Sequence, residues 1–277
     1  MRIVSILDNT SQEKSLIAKH GLSLYIETEQ MNIIFDTGPD KTYIRNAEKM
    51  GIDLSKVDTV VISHGHSDHI GGLNDLNDVN KQAKVYLSPN ALDPHWIKLG
   101  MYYHKVGAKN NIKENFKNRL CFVEKDIEIA KGIHIIALNP TNEYTKNLYK
   151  GVNKELDDFD HEIMLVIENQ NGIVLFSGCS HHGIVNMTKI ALEKFPNKNI
   201  DVIIGGFHLI GIPIINTLGK TKEEIIDLAH TLNKLPINSV YSCHCTGAKG
   251  YKILKSILQK KLQPFPTGME IILESER

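Results

Sequence analysis

The sequence predicts an α/β domain of four layers, two sheets packed face to face with helices on their outer sides. Two observations lead there. Each half of the chain supplies several strand-like segments and then helices, and after "GIVLFSG" (172–178) helix and strand alternate cleanly. The 277 residues suffice to bury the core of one large domain, so residues 1–277 are read as a single domain with an insert at about 90–120.

Taken in order, "RIVSIL" (2–7) is β-branched and ends at "DNT", "LSLYIET" (22–28) alternates with period two, and "MNIIFDTG" (31–38) is a short apolar run stopped by a turn. "KTYIRNAEKMGI" (41–52) reads as a helix with Gly51 at its C-cap. "KVDTVVIS" (56–63) is a buried strand, and "AKVYLSP" (83–89) repeats the pattern. Residues 90–119 break the rhythm with the only Trp, adjacent tyrosines and weak periodicity, and read as an inserted cap or loop. Strands resume at "GIHIIAL" (132–138), "EIMLVIE" (162–168) and "GIVLFSG". Then follow helix "VNMTKIALEKF", strand "IDVIIGG", helix "TKEEIIDLAHTLNKL", strand "INSVYS" and helix "KGYKILKSILQKKL". No short repeat and no low-complexity tract is present.

Composition narrows the function. Lys plus Arg and Asp plus Glu each number 32, so no net field draws in nucleic acid or an anionic membrane. Four cysteines, unevenly spread, do not form a secreted disulfide framework. "MRIVSILDNT" lacks the apolar core of a signal peptide, and the greasiest stretch, 202–215, is too short and too broken to span a bilayer. The expectation is a cytoplasmic protein acting on a small molecule, with neither nucleic acid nor membrane as partner. The aromatic insert or the apolar 207–215 segment offers an interface for a homodimer.

The chemistry concentrates in "SHGHSDHIGG" (63–72). His64 and His66 lie two apart where a strand has just ended, so both side chains leave the same face. Asp68 and His69 follow as the chain turns into a helix, and Gly71 and Gly72 let that backbone approach its neighbours closely. Two imidazoles, then a carboxylate and an imidazole, make two half-sites. This donor set suits zinc first, with manganese or iron as alternatives, better than calcium. A polar, solvated loop is the bland alternative; four ligand types at H-x-H-x-D-H spacing after a buried strand outweigh it.

Completion must come from later strand ends. "VLFSGCSHHG" carries Cys179, His181 and His182, "VIIGGFHL" carries His208, and "VYSCHCTG" carries Cys243, His244 and Cys245. His181 and His244 are the expected ligands. His208 ligates, orients substrate or satisfies a carbonyl, and His161 either ligates or only begins a strand. Surface or local roles are expected for His95, His104, His134, His182 and His230, with His95 and His104 reaching the site only if the insert folds over it.

With these residues in view, the chain resembles the metallo-β-lactamase superfamily. "HGHSDHIGG" matches its H-x-H-x-D-H signature, and the order of later motifs is similar across almost the whole chain. The resemblance implies an αββα sandwich with one or two divalent metals along one edge, His64 and His66 holding one and Asp68 and His69 the other. Where many members carry G-D-T, whose aspartate bridges the metals, this chain reads "SGCSHHG". Cys179 then bridges, binds one metal, or sits beside a mononuclear site, and His181 is the candidate for a missing ligand. "GCSHHGI", "GGFHL" and "CHCTG" together resemble a prokaryotic branch typified by archaeal synthases that join a pterin-methyl diphosphate to a ribosylated aminobenzene phosphate.

The expected activity is therefore metal-dependent hydrolysis or group transfer on a small, phosphate-bearing or pterin-like substrate. Its metal ligands are His64, His66, Asp68, His69, Cys179, His181 and His244. Asp68 also orients or deprotonates the nucleophile, His208 donates to substrate, and Asp36, in the D-T-G turn, positions the histidine loop. Trp96, Tyr102, Tyr103 and Lys105 either meet a flat ring and a phosphate or pack a small helical cap. The rival class is a redox or sensor protein binding iron through Cys179, Cys243 and Cys245, although the spacing differs from ferredoxin cysteine runs.

Overall fold

Two seven-stranded sheets run through the computed structural model, which describes residues 1–109, 111–141, 147–211 and 217–273. The N-terminal half contributes β1 (Arg2–Leu7), β2 (Ser23–Glu27), β3 (Asn32–Phe35), α1 (Thr42–Lys49), β4 (Thr59–Val61), α2 (Ser67–Ile70), α3 (Leu73–Leu76) and β5 (Lys84–Leu87). The middle contributes β6 (His95–Leu99), β7 (Tyr102–Lys105), α4 (Ile112–Asn115), β8 (Leu120–Phe122), β9 (Ile127–Ala130), β10 (Ile133–Ala137), β11 (Leu148–Lys150) and β12 (Glu155–Leu156). The remainder is β13 (Ile163–Asn169), β14 (Gly172–Phe176), α5 (Ile184–Lys194), β15 (Ile200–Gly205), α6 (Lys222–Lys234), β16 (Ile237–Ser242), α7 (Gly247–Leu258), β17 (Leu262–Pro264) and β18 (Glu270–Ile272).

The first sheet has the order β18-β1-β2-β3-β4-β5-β8 and the second β17-β16-β15-β14-β13-β10-β9. Period-two alternation sorts the apolar side chains between layers. Leu24, Phe35 and Val61 meet Phe176, Val202, Ile204 and Phe265 between the sheets. Ile34, Val60 and Val85 face outward onto Tyr43, Ala47 and Leu73 of the first helical layer. Leu175, Ile203 and Val240 do the same against Met187, Ile225 and Leu254 of the second. The result is the four-layer αββα sandwich. At the start of α6, Thr221 Oγ1 accepts from Glu224 N and Glu224 Oε2 accepts from Thr221 N, a capping box that stops the helix fraying.

The insert differs from a helical cap. Its only helix among the described residues is the four-residue α4; β6 and β7 instead form a hairpin turning at Gly100 (φ 59°). The hairpin joins β11 and β12 in a separate sheet of order β12-β11-β6-β7. "HWIKL" and "YYHK" are rich in aromatic and branched residues that favour strands, but the partner that completes the sheet lies far downstream, beyond the reach of local pattern. Of the apolar 207–215 segment, residues 212–215 fall outside the described residues. No helix among the described residues is long and apolar enough to cross a membrane.

Candidate metal centre

Parallel pairing gathers the strand ends. β3, β4, β5 and β8 run parallel in one sheet, and β14, β15, β16 and β17 in the other. Their C-terminal ends deliver Asp36, His64, Cys179, His208 and His244 to one edge of the sandwich. Left-handed backbone bends the chain inward there at Asp36 (φ 61°), Ser180 (φ 56°), His208 (φ 48°) and His244 (φ 48°). Non-glycine residues hold that conformation at some cost, and such strain collects at functional sites.

Five imidazoles meet at this edge, those of His64, His66, His69, His181 and His244, all buried. Ring centroids lie 4.1 Å apart for His64–His69, 4.7 Å for His64–His66, 5.0 Å for His64–His181 and 4.8 Å for His69–His244. The hydrogen-bond network dictates which nitrogen of three of these rings carries the proton. His69 Nδ1 lies 2.7 Å from Asp36 Oδ2, an acceptor only, so Nδ1 donates and Nε2 keeps a lone pair. Ser63 Oγ donates to the same Asp36 Oδ2 at 2.7 Å and must therefore accept from His64 Nδ1 at 2.9 Å. His244 Nδ1 donates to Asn9 Oδ1 at 2.9 Å, an orientation fixed because Asn9 Nδ2 donates to His244 O.

Three Nε2 lone pairs are thus aimed inward. His69 Nε2 is 3.1 Å from His244 Nε2 and 3.2 Å from Cys179 Sγ, and Asp68 Oδ2 lies 3.2 Å from His244 Nε2. His64 Nε2, His66 Nε2 and both ring nitrogens of His181 are buried with no hydrogen-bond partner. Buried polar atoms are ordinarily paired, so this convergence lacks positive charge. A divalent cation would supply it, and the donor set fits one. Cys179 Sγ shares three clusters of possible ligands, with His64 and His181, with His69 and His244, and with His208 and Cys245.

The proton affinities agree. Burial and the neighbouring imidazoles push His64 and His66 well below the ordinary histidine value, and burial and His208 do the same for His181. All three stay neutral, as ligation requires. Burial also opposes charge on His69, but Asp36 and Asp68 outweigh it and raise that imidazole. Burial works against ionised Asp68 too, yet His69, His20 and His244 hold its carboxyl well below the usual range.

A second network braces the loop from behind. His161 Nδ1 accepts from Gly65 N at 3.0 Å, so its Nε2 carries the hydrogen and donates to Asp157 Oδ2 at 3.2 Å. In that tautomer His161 has no lone pair for a metal; it holds the H-G-H turn instead. His95 Nδ1 sits 3.4 Å from the same carboxylate oxygen, and His66 Nε2 4.0 Å. Glu162 accepts from the backbone N–H groups of His181 and His182 at 2.9 Å each and pairs with His182 Nδ1 at 2.6 Å. Phe159 stacks on His181 at 4.1 Å, nearly parallel.

Of the two roles the sequence leaves open for His95, local or at the site, the second holds, and for His104 the first. The cap folds over the site and buries His95 completely, 5.6 Å from His66. A side chain at Gly65 would meet the His95 ring, which explains the glycine between the two histidines. His104 and His230 are exposed, and His134 pairs locally with Glu168. His208 packs 4.3 Å from His181, so it borders the site. Cys243 lies in the inter-sheet core, so only Cys245 of the C-x-C pair reaches the centre. Trp96 and Tyr103 occupy the cap face opposite His95, where Lys154 lies over both rings at 4.9 and 4.8 Å. Tyr102 is largely exposed.

His20, Asp157, Glu162 and Ser63 were not singled out from the sequence. Ser63 opens the histidine decapeptide but is no ligand type, and the other three lie outside any run with ligand spacing, although "DDFDHE" (157–162) holds two of them around His161. His20 Nε2 lies 3.2 Å from Asp68 Oδ2 at the mouth of a cavity of ≈ 380 Å³, which is walled by Ile210, Tyr251, Pro264 and Phe265 and touches His244.

Known proteins bear on this geometry. The family model described as the metallo-beta-lactamase superfamily matches residues 17–137. The 7,8-dihydropterin-6-methyl-4-(β-D-ribofuranosyl)-aminobenzene-5'-phosphate synthase of Methanocaldococcus jannaschii is 30% identical over 272 residues, covering 91% of this chain and 89% of that one. A solved metal-dependent hydrolase of the beta-lactamase superfamily superposes with a TM-score of 0.83 at 31% identity, over 99% of this chain and 100% of the other. A diphosphatase of the PhnP family, 14% identical with a TM-score of 0.59 over 99% of this chain and 98% of that one, shares the fold.

Proposed function

The chain belongs to the metallo-β-lactamase superfamily, and on that premise we propose that it is a metal-dependent enzyme that hydrolyses or transfers a group on a small, phosphate-bearing or pterin-like substrate. One observation carries the proposal. Imidazole lone pairs from five histidines, a thiol and a carboxylate converge on one edge with too few hydrogens to satisfy them. One or two divalent cations, zinc first and manganese or iron otherwise, would be held by His64, His66, Asp68, His69, Cys179, His181 and His244. Such a cation supplies Lewis acidity, which polarises a phosphoryl or carbonyl oxygen and acidifies water.

The chain's own residues do the rest. Asp36 orients His69 directly and His64 through Ser63. Asp68 stays ionised and is partly exposed, so it can hold a nucleophile's hydrogen at the mouth. His208 packs on His181 at the flank of the centre, where its ring either donates to a substrate oxygen or ligates. The cavity beside His20 and His244 is within the size range of small-molecule sites, and its Tyr251 and Phe265 walls suit a flat ring. The similarity to a pterin-pathway synthase supports that substrate class.

Elemental analysis of the purified protein, with a screen of phosphodiesters, thioesters, lactones and pterin diphosphates, tests the proposal. Stoichiometric metal and turnover of a phosphate-bearing compound are expected; a metal-free, inactive protein refutes it. A redox-iron reading would draw on Cys179 and Cys245, both buried beside the site. Visible colour bleached by dithionite would favour it over the enzyme.

A further inference from the structure

We propose that Cys245, together with Cys179 and His208, forms a second, sulfur-rich cation position on the flank of the histidine centre, so that sulfur sets the protein's metal preference. The inference rests on reading the edge as a metal centre and goes beyond it in assigning residues and a class of ion.

Ligand atoms of Cys179, His208 and Cys245 lie within 4.8 Å of one another. Bonds of about 2.3 Å to sulfur and about 2.0 Å to nitrogen around a tetrahedral ion separate two sulfurs by roughly 3.8 Å, so the triad needs little adjustment to close on a cation. Both thiols are buried, at 4% and 6% exposure.

Cys245 Sγ both donates and accepts: its thiol donates to Cys179 O at 3.6 Å, through a hydrogen that a cation would replace. The backbone N–H of His208 donates to Cys245 Sγ at 3.2 Å, the contact that steadies a sulfur bearing charge. Gly206 leaves room for that sulfur, since a Cβ there would come within 2.4 Å of it. The left-handed turn at His208 (φ 48°) brings its ring 4.3 Å from His181, whose two ring nitrogens are buried and unpartnered.

Cys243 supplies the contrast. In a continuous strand Cys243 and Cys245 would share a face. The turn over His244–Thr246, with left-handed His244, separates them: Cys243 packs between the sheets and Cys245 reaches the centre.

Binding is balanced in atoms and charge. A divalent ion joins two thiols, two protons leave to solvent, and the two resulting thiolates offset the charge of the cation, so no net charge is buried. Cys179 also touches both histidine half-sites, which makes its sulfur the link between this position and them. Thiolate donors select zinc, cadmium and other thiophilic ions over magnesium and manganese.

The test is a cadmium titration of the reduced, metal-free full-length protein, followed by thiolate-to-metal absorption in the ultraviolet. Two thiolates are expected for the wild type. Cys179→Ser and Cys245→Ser should each lose about half of the band, whereas Cys243→Ser should keep all of it. A Cys245→Ser protein with the whole band overturns the inference. Should that variant misfold, the ¹¹³Cd spectrum of the wild-type protein decides: a resonance of two-thiolate type beside that of the nitrogen-rich histidine centre supports the assignment, and its absence at full loading overturns it. A wild-type protein that takes up no cation sinks the metal-centre reading itself, while uptake without the two-thiolate band sinks this inference alone.

Discussion

Asp36→Asn is the sharpest perturbation the structure offers, because one carboxylate sets the tautomer of two ligands. Asp36 Oδ1 accepts from Ser63 N at 2.7 Å, while Oδ2 receives both Ser63 Oγ and His69 Nδ1 at 2.7 Å. An amide keeps the first bond through its oxygen and turns an NH₂ toward the other two groups. His69 Nδ1 must then accept, which moves its hydrogen to Nε2. Ser63 Oγ must also accept, so its own hydrogen turns to His64 Nδ1 and moves that ring's hydrogen to Nε2 as well. Both nitrogens now present N–H where a lone pair is required. Loss of such an orienting partner lowers metal affinity about 10–100-fold per ligand, or roughly 1.4–2.7 kcal/mol each. Two inverted ligands give a combined loss of about 10²–10⁴-fold. The metal-free fold should suffer less, because the switched tautomers restore hydrogen bonds of ordinary neutral strength, each worth about 1 kcal/mol. Competition with a chromophoric chelator measures the first quantity, and denaturant unfolding in excess chelator the second. Metal affinity within threefold of wild type would refute the tautomer argument, whatever happens to stability.

Other outcomes follow from the same geometry. His66→Ala and Asp68→Ala should lose bound metal and turnover while keeping the wild-type circular dichroism; either variant retaining full activity refutes the site assignment. The metal-free protein should lose stability on acidification. His64, His66 and His181 bind protons less readily folded than unfolded, so their stabilisation is complete above the unfolded value of about 6.5 and declines as pH falls below it. Each contributes a slope of up to about 1.4 kcal/mol per pH unit, whereas His69, raised in the fold, is protonated in both states well below that value and offsets none of it there. A melting temperature in chelator that is flat between pH 6.5 and 5 contradicts this, up to about three protons being expected toward the acid end. His161→Ala removes the acceptor of Gly65 N and a donor to buried Asp157, and should cost about 2–4 kcal/mol in denaturant unfolding. Trp96→Leu should change kcat/KM less than about twofold, because that ring lies on the cap face turned from His95; a larger loss would place the outer face in substrate binding.

What the sequence reveals here follows from how each interaction is encoded. Buried strands announce themselves by runs such as "DVIIG" and "TVVIS", since a strand covered on both faces has no polar side to interrupt it. Short strands at sheet edges carry no such run, so β8, β9, β17 and β18 are not legible. The cap's strands are not legible because their sheet is completed by β11, some fifty residues after β6. The site divides along the same line. "HGHSDH" is legible because its ligands must leave one tight turn, so spacing itself carries the geometry. Asp157, Glu162 and His20 enter through topology, each brought in by an element whose local sequence is ordinary. Asp36 lies between the two classes: the D-T-G turn marked it, but only the three-dimensional path through Ser63 reveals that it governs His64 as well as His69. On the proposed metal-centre reading, a chain can therefore keep every donor and still lose its centre through one oxygen that would touch no metal, and the orienting carboxylate, more than any single ligand, would tie this fold to its chemistry.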